Sequence, residues 1–272
     1  MKKAGRTCLF CIGTYGLLGR NNNPKSEVVL KLKDAIQNLG GKKATALAGQ
    51  LADEMGLDWN GDVRHVFKIV ANDPDRVPGN IGGGADDERS AIQKWLQKYQ
   101  AGMEGRASKR ISNQSGTIAD PIIEEIIGAR LAHLTKDDLH KVTYAHRIGM
   151  SAENILGLML EEYLSIHLLR HGWHCAWGET VRSVDFVNED GSLLQIKNRS
   201  NSENSSSSAV RDGTKIEKWY RIKADRIEYM WASLNEICGT EHLGENDFVA
   251  FVKETIRRNP RCLAVEKENP WQ

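Results

Sequence analysis

The spacing of apolar residues changes period near residue 172, and this change restricts the fold more than any other feature of the chain. Before it, apolar side chains recur at helical spacing. Val28, Val29, Leu32, Ala35, Ile36 and Leu39 predict a helix over 25–39, ended by Gly40-Gly41. Further helical runs cover 43–56, 61–71 and 90–102, and Ile122, Ile123, Ile126, Ile127, Ala129, Leu131 and Leu134 resume the pattern from 118 onward. The strongest run covers 151–170, with Ser151 as the N-cap and Glu153 in the first turn. Beyond 172 the alternation fits strands at 173–187 and 192–198, joined by a turn at Asn188-Glu189-Asp190-Gly191. A helix over 225–238 and a strand over 246–253 complete the pattern. The Pro- and Gly-rich stretch 72–90 reads as a loop, 104–117 as irregular, and 200–208 as low-complexity polar sequence.

This order predicts an α/β (α+β mixed) protein with a central mixed sheet flanked by helices. Residues 1–117 would form a helical N-terminal subdomain, and residues 118–272 the part that carries chemistry. The 272-residue length is enough to bury a substantial core. No run approaches the roughly 18 uninterrupted apolar residues of a membrane-spanning helix. The first twenty residues imitate a secretion signal, but Gly13, Thr14, Tyr15 and Gly16 break the apolar part and Arg20 follows closely. A cytoplasmic location is therefore expected. The five cysteines are odd in number and scattered, which suits a reduced compartment.

Net charge is only +1, which on its face gives no sign of a polyanionic partner. The total hides segregated charge. Residues 1–45 carry nine basic against two acidic residues, 46–90 carry four against nine, and 198–226 carry seven against four. The surface is basic in patches, a distribution that fits either a mixed solvated surface or nucleic acid.

The hairpin TVRSVDFV-NEDG-SLLQIKNR concentrates the chemistry. Period two places Ser183, Asp185 and Val187 on one face of the first strand, and Leu193, Gln195 and Lys197 together on the second. A turn centred near 190 sets Asp185 opposite Gln195, with Lys197 one step further. Val184, Phe186, Leu194 and Ile196 form an apolar opposite face. A carboxylate, an amide and an ammonium then converge, which is a set that phosphodiester hydrolysis can use. Mg²⁺ takes hard oxygen ligands, and a lysine can orient the attacking water and neutralise developing charge. Asp185 would be the principal ligand, joined by the Gln195 side-chain oxygen and the Ile196 carbonyl. An amide is a weaker ligand than a carboxylate, so a further acid is expected from the preceding helix, with Glu161 preferred to Glu162. By spacing alone the same residues also suit a surface hairpin with solvated charges.

The order of a helix with Glu, a strand with Asp, a strand with Gln-x-Lys and a further helix resembles the PD-(D/E)xK nuclease superfamily. Val184-Asp185 stands where Pro-Asp is usual, and Gln195 where an acid is usual. The run from Ala145 to Arg221 is similar to the SinI-type family of type II restriction endonucleases. The resemblance is carried by AHR at 145–147, ENILGLMLEEYL at 153–164, VDF at 184–186, LLQIKNRSNSENSSSS at 193–208 and RDGTKIEKWYR at 211–221. It implies a homodimer that cuts a short, G·C-rich palindrome in double-stranded DNA using Mg²⁺, as part of a restriction-modification pair. It also implies catalytic roles for Asp185, Gln195, Lys197 and Glu161.

The stretch after Lys197 gains meaning from that resemblance. Asn198, Arg199, Asn201, Asn204 and Arg211 have the chemistry to read base edges, and Lys215, Lys218 and Arg221 suit phosphate contacts. The bland alternative is a flexible Ser-rich linker. Residues 46–70 could form either a helix-turn-helix or an ordinary helical hairpin. Cys8-x2-Cys11 could be half a zinc site, but His65, His174, Cys175 and Cys262 are too dispersed in sequence to nominate as its complement. Two other readings compete with the restriction enzyme. One is a DNA-binding regulator without activity, acting through 46–70. The other is a repair or recombination nuclease, which would not need the Asn/Ser/Arg segment 198–211.

Overall fold

The structure, a computed structural model, describes residues 30–79, 81, 83–113, 120–199, 215–266 and 269–271. The first half of the chain is helical. Helices α1 (Leu32–Leu39), α2 (Gly41–Glu54), α3 (Asp62–Asn72) and α4 (Glu88–Glu104) pack around Leu32, Ile36, Leu51, Val66, Phe67 and Trp95. The first helix begins later than the periodicity predicts. Leu30 is drawn into an antiparallel bridge with Ala85, its N–H donating to the Ala85 carbonyl at 3.2 Å. A capping box of Asp87 and Ser90 starts α4.

Helix α5 (Ile122–Arg130) leads into α6 (Lys136–Leu168), which is 33 residues long. At about 1.5 Å per residue it spans roughly 50 Å. Its N-cap is Thr135, in a capping box with Asp138, so Ser151 lies within the helix and caps nothing. Sequence periodicity located only the part that packs against the sheet. The earlier turns carry exposed apolar residues such as Val142 and Met150 and lack a clear inward stripe.

The sheet has four strands in the order β1-β2-β3-β4: β1 (Trp173–Cys175), β2 (Phe186–Asn188), β3 (Leu193–Arg199) and β4 (Ile216–Ile222). The first two neighbour pairs are antiparallel and β3–β4 is parallel. The expected single strand 173–187 is two short strands. Between them the chain leaves the ladder and folds against α4. The turn at 188–191 forms as expected, with Gly191 N–H donating to the Asn188 carbonyl at 2.9 Å.

Residues 246–253 are not a strand. They lie in helix α8 (Glu245–Arg258), which follows α7 (Trp231–Cys238), so the predicted helix 225–238 is shorter than expected. The valines and phenylalanines of NDFVAFVK favour a strand locally. Over a longer window Phe248, Phe251, Val252, Thr255 and Ile256 share one helical face, and they supply the side that packs inward. Glu245 and Asp247 in the first turn and Arg257 and Arg258 in the last complement the helix dipole. Tyr163 of α6 meets Trp231, Phe248 and Phe251, with ring centroids 5.3–5.9 Å apart, and joins both C-terminal helices to α6.

One hydrophobic cluster runs from α1–α4 through α6 to the sheet. Its tightest junction is backbone on backbone. A Cβ placed on Gly102 would lie 2.2 Å from the Gly178 nitrogen, and one on Gly178 would lie 2.4 Å from the Lys98 carbonyl oxygen. Gly178 also has φ +74°, a conformation that glycine adopts without strain. The buried indole N–H of Trp95 donates to the Thr180 carbonyl at 2.9 Å beside this contact. Gly102→Ala should therefore destabilise the protein by about 1–3 kcal/mol, measured by denaturant unfolding. An unchanged midpoint would show that the two backbones can separate freely.

Candidate active site

Asp185 sits just before β2, and the register of β2 on β3 (Phe186 with Leu194, Val187 with Leu193) brings it beside Gln195. Two backbone contacts fix it there. Its N–H donates to the Leu194 carbonyl at 2.9 Å, and its Oδ2 accepts the Ile196 N–H at 2.8 Å. Val184, Phe186, Leu194 and Ile196 are buried beneath, as the alternation predicts. Val187 and Leu193 are buried as well, so the polar face of the hairpin is confined to its Asp185 end. In β3, Gln195 and Lys197 are half-buried on one face. The parallel register places Lys218 beside Gln195 and Tyr220 beside Lys197.

Glu161 and Glu162 are neighbours on α6 with different surroundings. Glu162 is only 4% exposed and is held by Ser108, whose N–H donates to it at 2.8 Å and whose hydroxyl donates to its other oxygen. Arg106 Nε lies 3.4 Å away. Glu161 instead faces the Asp185 end of the hairpin. Burial first, then the negative charge of Asp185 and then that of Glu179, push its carboxyl up to about 8. Two carboxylates are thus crowded where the polar face of β3 begins.

The loop entering this face carries two non-glycine residues at positive φ, Glu179 (54°) and Ser183 (60°). Such conformations persist only where their surroundings enforce them. In the sequence Glu179 stands six residues before Asp185, outside the hairpin alternation. In the structure it is near enough to raise the Glu161 carboxyl. Only the Gly178-Glu179 pair at the loop could have hinted at it. Cys175, buried beside the same carboxylates, has its thiol pushed well up by burial and by their charge, so it stays protonated.

The expected DNA-contact residues fall into three groups. Asn201, Asn204 and Arg211 lie outside the described residues, as do Cys8 and Cys11. Arg199, at the end of β3, and Lys215 are exposed, and Lys218 is half-buried next to Gln195. Arg221 differs from expectation. It is buried, its Nε donates to Asn198 Oδ1 at 2.8 Å, and its guanidinium pairs with Glu245. The same guanidinium lies 5.6 Å from the Tyr229 ring centroid and 5.5 Å from that of Phe248. Its charge is spent inside the fold, and it occupies the oxygen that Asn198 would offer a base.

Residues 46–70 span α2 and α3, which form a helical hairpin. Val63, Val66, Phe67 and Val70 are buried, and Asp62 and His65 turn toward His174 in β1. Of the second-helix residues considered for DNA contact, Arg64 alone is exposed.

Because Glu162 is buried and fully engaged, its removal strands the Ser108 donors and the Arg106 charge. Glu162→Ala should cost about 3 kcal/mol of stability, whereas Glu161→Gln, which replaces a buried carboxyl by an amide of the same shape, should cost little or nothing. Parallel urea melts decide between the two, and equal losses would contradict the assignment.

The profile of the SinI restriction endonuclease family matches residues 84–258. The chain is 38% identical to the type II restriction enzyme Eco47I of Escherichia coli over 228 residues, covering 79% of this chain and 95% of that one. It is 37% identical to the type II restriction enzyme SinI of Salmonella infantis over 230 residues, covering 80% and 96%. The matched region includes α6, the whole sheet and the carboxylates gathered at Asp185. The chain belongs to the SinI restriction endonuclease family.

Proposed function

We propose that the chain is a type II site-specific deoxyribonuclease with a PD-(D/E)xK-like core in residues 118–272. In this reading it hydrolyses phosphodiester bonds of double-stranded DNA, with Mg²⁺, at a short G·C-rich palindrome. The observation that carries it is the convergence of Glu161, Asp185, Gln195 and Lys197 at one end of the hairpin, with Glu161 raised to about 8 by burial and by Asp185. Two crowded carboxylates beside an amide form a hard-oxygen donor set whose mutual repulsion a divalent cation relieves.

Asp185, Glu161, the Gln195 side-chain oxygen and the Ile196 carbonyl are the ligands in this proposal. Bound Mg²⁺ supplies polarisation of the phosphoryl oxygen and a more acidic water. The protein's own groups do the rest. The Ile196 N–H holds Asp185 in place through one of its oxygens. Lys197 orients the attacking water and offsets the negative charge that builds on the phosphoryl oxygens. The water oxygen forms the new bond to phosphorus as the bond to the leaving alkoxide breaks. Lys218, held next to Gln195, is placed for a phosphate contact beside the reacting one.

Arg199, Asn201, Asn204 and Arg211 are assigned to base reading, and Lys215 to the backbone. No DNA contact is assigned to Arg221, and Asn198 is a positioning residue. A homodimer follows from the need to cut both strands of a palindrome. Exposed Ile122, Ile123 and Ile126 on α5 are apolar surface that a second copy would cover. Residues 1–117 brace the catalytic part in this scheme.

Purified protein incubated with plasmid should give discrete fragments in Mg²⁺ and none in chelator; a smear would indicate a nuclease without sequence preference. Lys197→Ala should lower cleavage roughly 10³-fold or more while gel-shift binding persists, and wild-type cleavage would remove Lys197 from the mechanism. A protonated carboxyl cannot ligate, so Mg²⁺ affinity should climb as pH rises toward about 8, the value of Glu161, and then level off. The sign is opposite for the metal-free fold, whose stability falls over the same rise because the unfolded chain gives up the proton earlier. In Glu161→Gln both slopes should flatten, measured by calorimetric Mg²⁺ titration and melting across pH.

A further inference from the structure

A second cluster lies at the other end of β2, where α3 meets β1 and the β2–β3 turn. His174 of β1 is 5% exposed. Its Nδ1 is 2.8 Å from Asp62 Oδ1 at the start of α3. Its Nε2 is buried without a hydrogen-bond partner, and Glu189 Oε1 lies 3.4 Å from it. One turn along α3 from Asp62, the His65 ring stacks on that of His174, with centroids 4.0 Å apart and planes 10° apart. One donor atom from each of His65, His174 and Glu189 lies within 4.8 Å of the others.

We propose that His65, His174 and Glu189 bind a divalent transition metal ion of the zinc type, with Asp62 as the carboxylate that orients His174. Two imidazoles and one carboxylate are a borderline-soft donor set, which selects such ions over Mg²⁺. With Asp62 accepting a hydrogen bond from the Nδ1–H, the Nε2 lone pair is directed at the site, the arrangement that metal-bound histidines adopt. Two carboxylates beside the two rings carry a charge that one divalent ion cancels.

The geometry requires a modest closure. Ligand atoms around zinc stand roughly 3.3 Å apart, so the half-buried His65 turns its ring edge toward the His174 axis and the exposed Glu189 swings in. Water completes the shell. The bound ion would clamp α3 to the turn that follows β2, and β2 carries Asp185 at its other end. This site is independent of the one around Asp185.

The test uses full-length Asp185→Asn protein in excess Mg²⁺, so that the catalytic face does not compete, and titrates Zn²⁺ against a chromogenic chelator. One equivalent is expected, with Co²⁺ substitution giving a tetrahedral spectrum that lacks thiolate charge-transfer bands. His65→Gln and Glu189→Gln, both on the solvent side of the cluster, should weaken Zn²⁺ binding about 10-fold or more and abolish the Zn²⁺-dependent rise in melting temperature. Their circular dichroism and metal-free melting should match the parent. Absence of stoichiometric binding overturns the proposal. So does binding unchanged in His65→Gln, or binding lost in a Cys8→Ser/Cys11→Ser protein but kept in the histidine variants.

Discussion

The contact between Gly102 and Gly178 sets the distance between the helical half of the molecule and its sheet. No side chain separates α4 from the loop after β1 there, so the two backbones touch. This closeness lets Trp95 reach the Thr180 carbonyl. It also forces the chain through positive φ at Gly178, Glu179 and Ser183 before it rejoins the ladder at β2. The strained loop is the route by which Asp185 arrives facing Gln195. A wider separation would relax the loop and leave the hairpin's polar end unsupported, so the placing of Asp185 depends on a contact that carries no polar side chain.

Electrostatics beside Asp185 and around Arg221 follow opposite rules. At the Asp185 end, like charges are forced together and the protein tolerates a protonated Glu161. At the Arg221 position on β4, a buried cation is fully matched by Glu245, Asn198 and two aromatic faces. The first arrangement is unstable without a counterion and is suited to binding one. The second is complete and ties β3, β4 and α8 together. Reading charge from sequence counted Arg221 in a basic patch and assigned it to phosphate.

Much of the site was legible in the sequence because it rests on period two. Once Asn188–Gly191 was recognised as a turn, the pairing of Asp185 with Gln195 followed by counting, and the structure has that register. The helix-borne acid was harder to choose, since Glu161 and Glu162 are adjacent and only tertiary packing separates them. The fold was legible where an apolar stripe faced a neighbour, as in α1 to α4, and misleading elsewhere. NDFVAFVK has strand-forming side chains in a window too short to reveal the stripe that continues to Ile256. The start of α6 bears no such stripe, so its capping box at Thr135 passed unnoticed. His65 and His174 meet only because α3 packs on β1, a proximity that spacing could not disclose.

Adjacent residues on a helix point about 100° apart, so Glu161 and Glu162 together report the azimuth of α6. Glu162 is locked by Ser108 and Arg106, groups on the segment that follows α4. That lock acts as a rotational key. It fixes the angle at which a 50-residue-distant segment lets α6 present Glu161 to Asp185, and it does so without touching the reacting groups. The helical half of the chain thus sets the direction of a carboxylate in the sheet half, and the alignment of the site is a property of the whole fold.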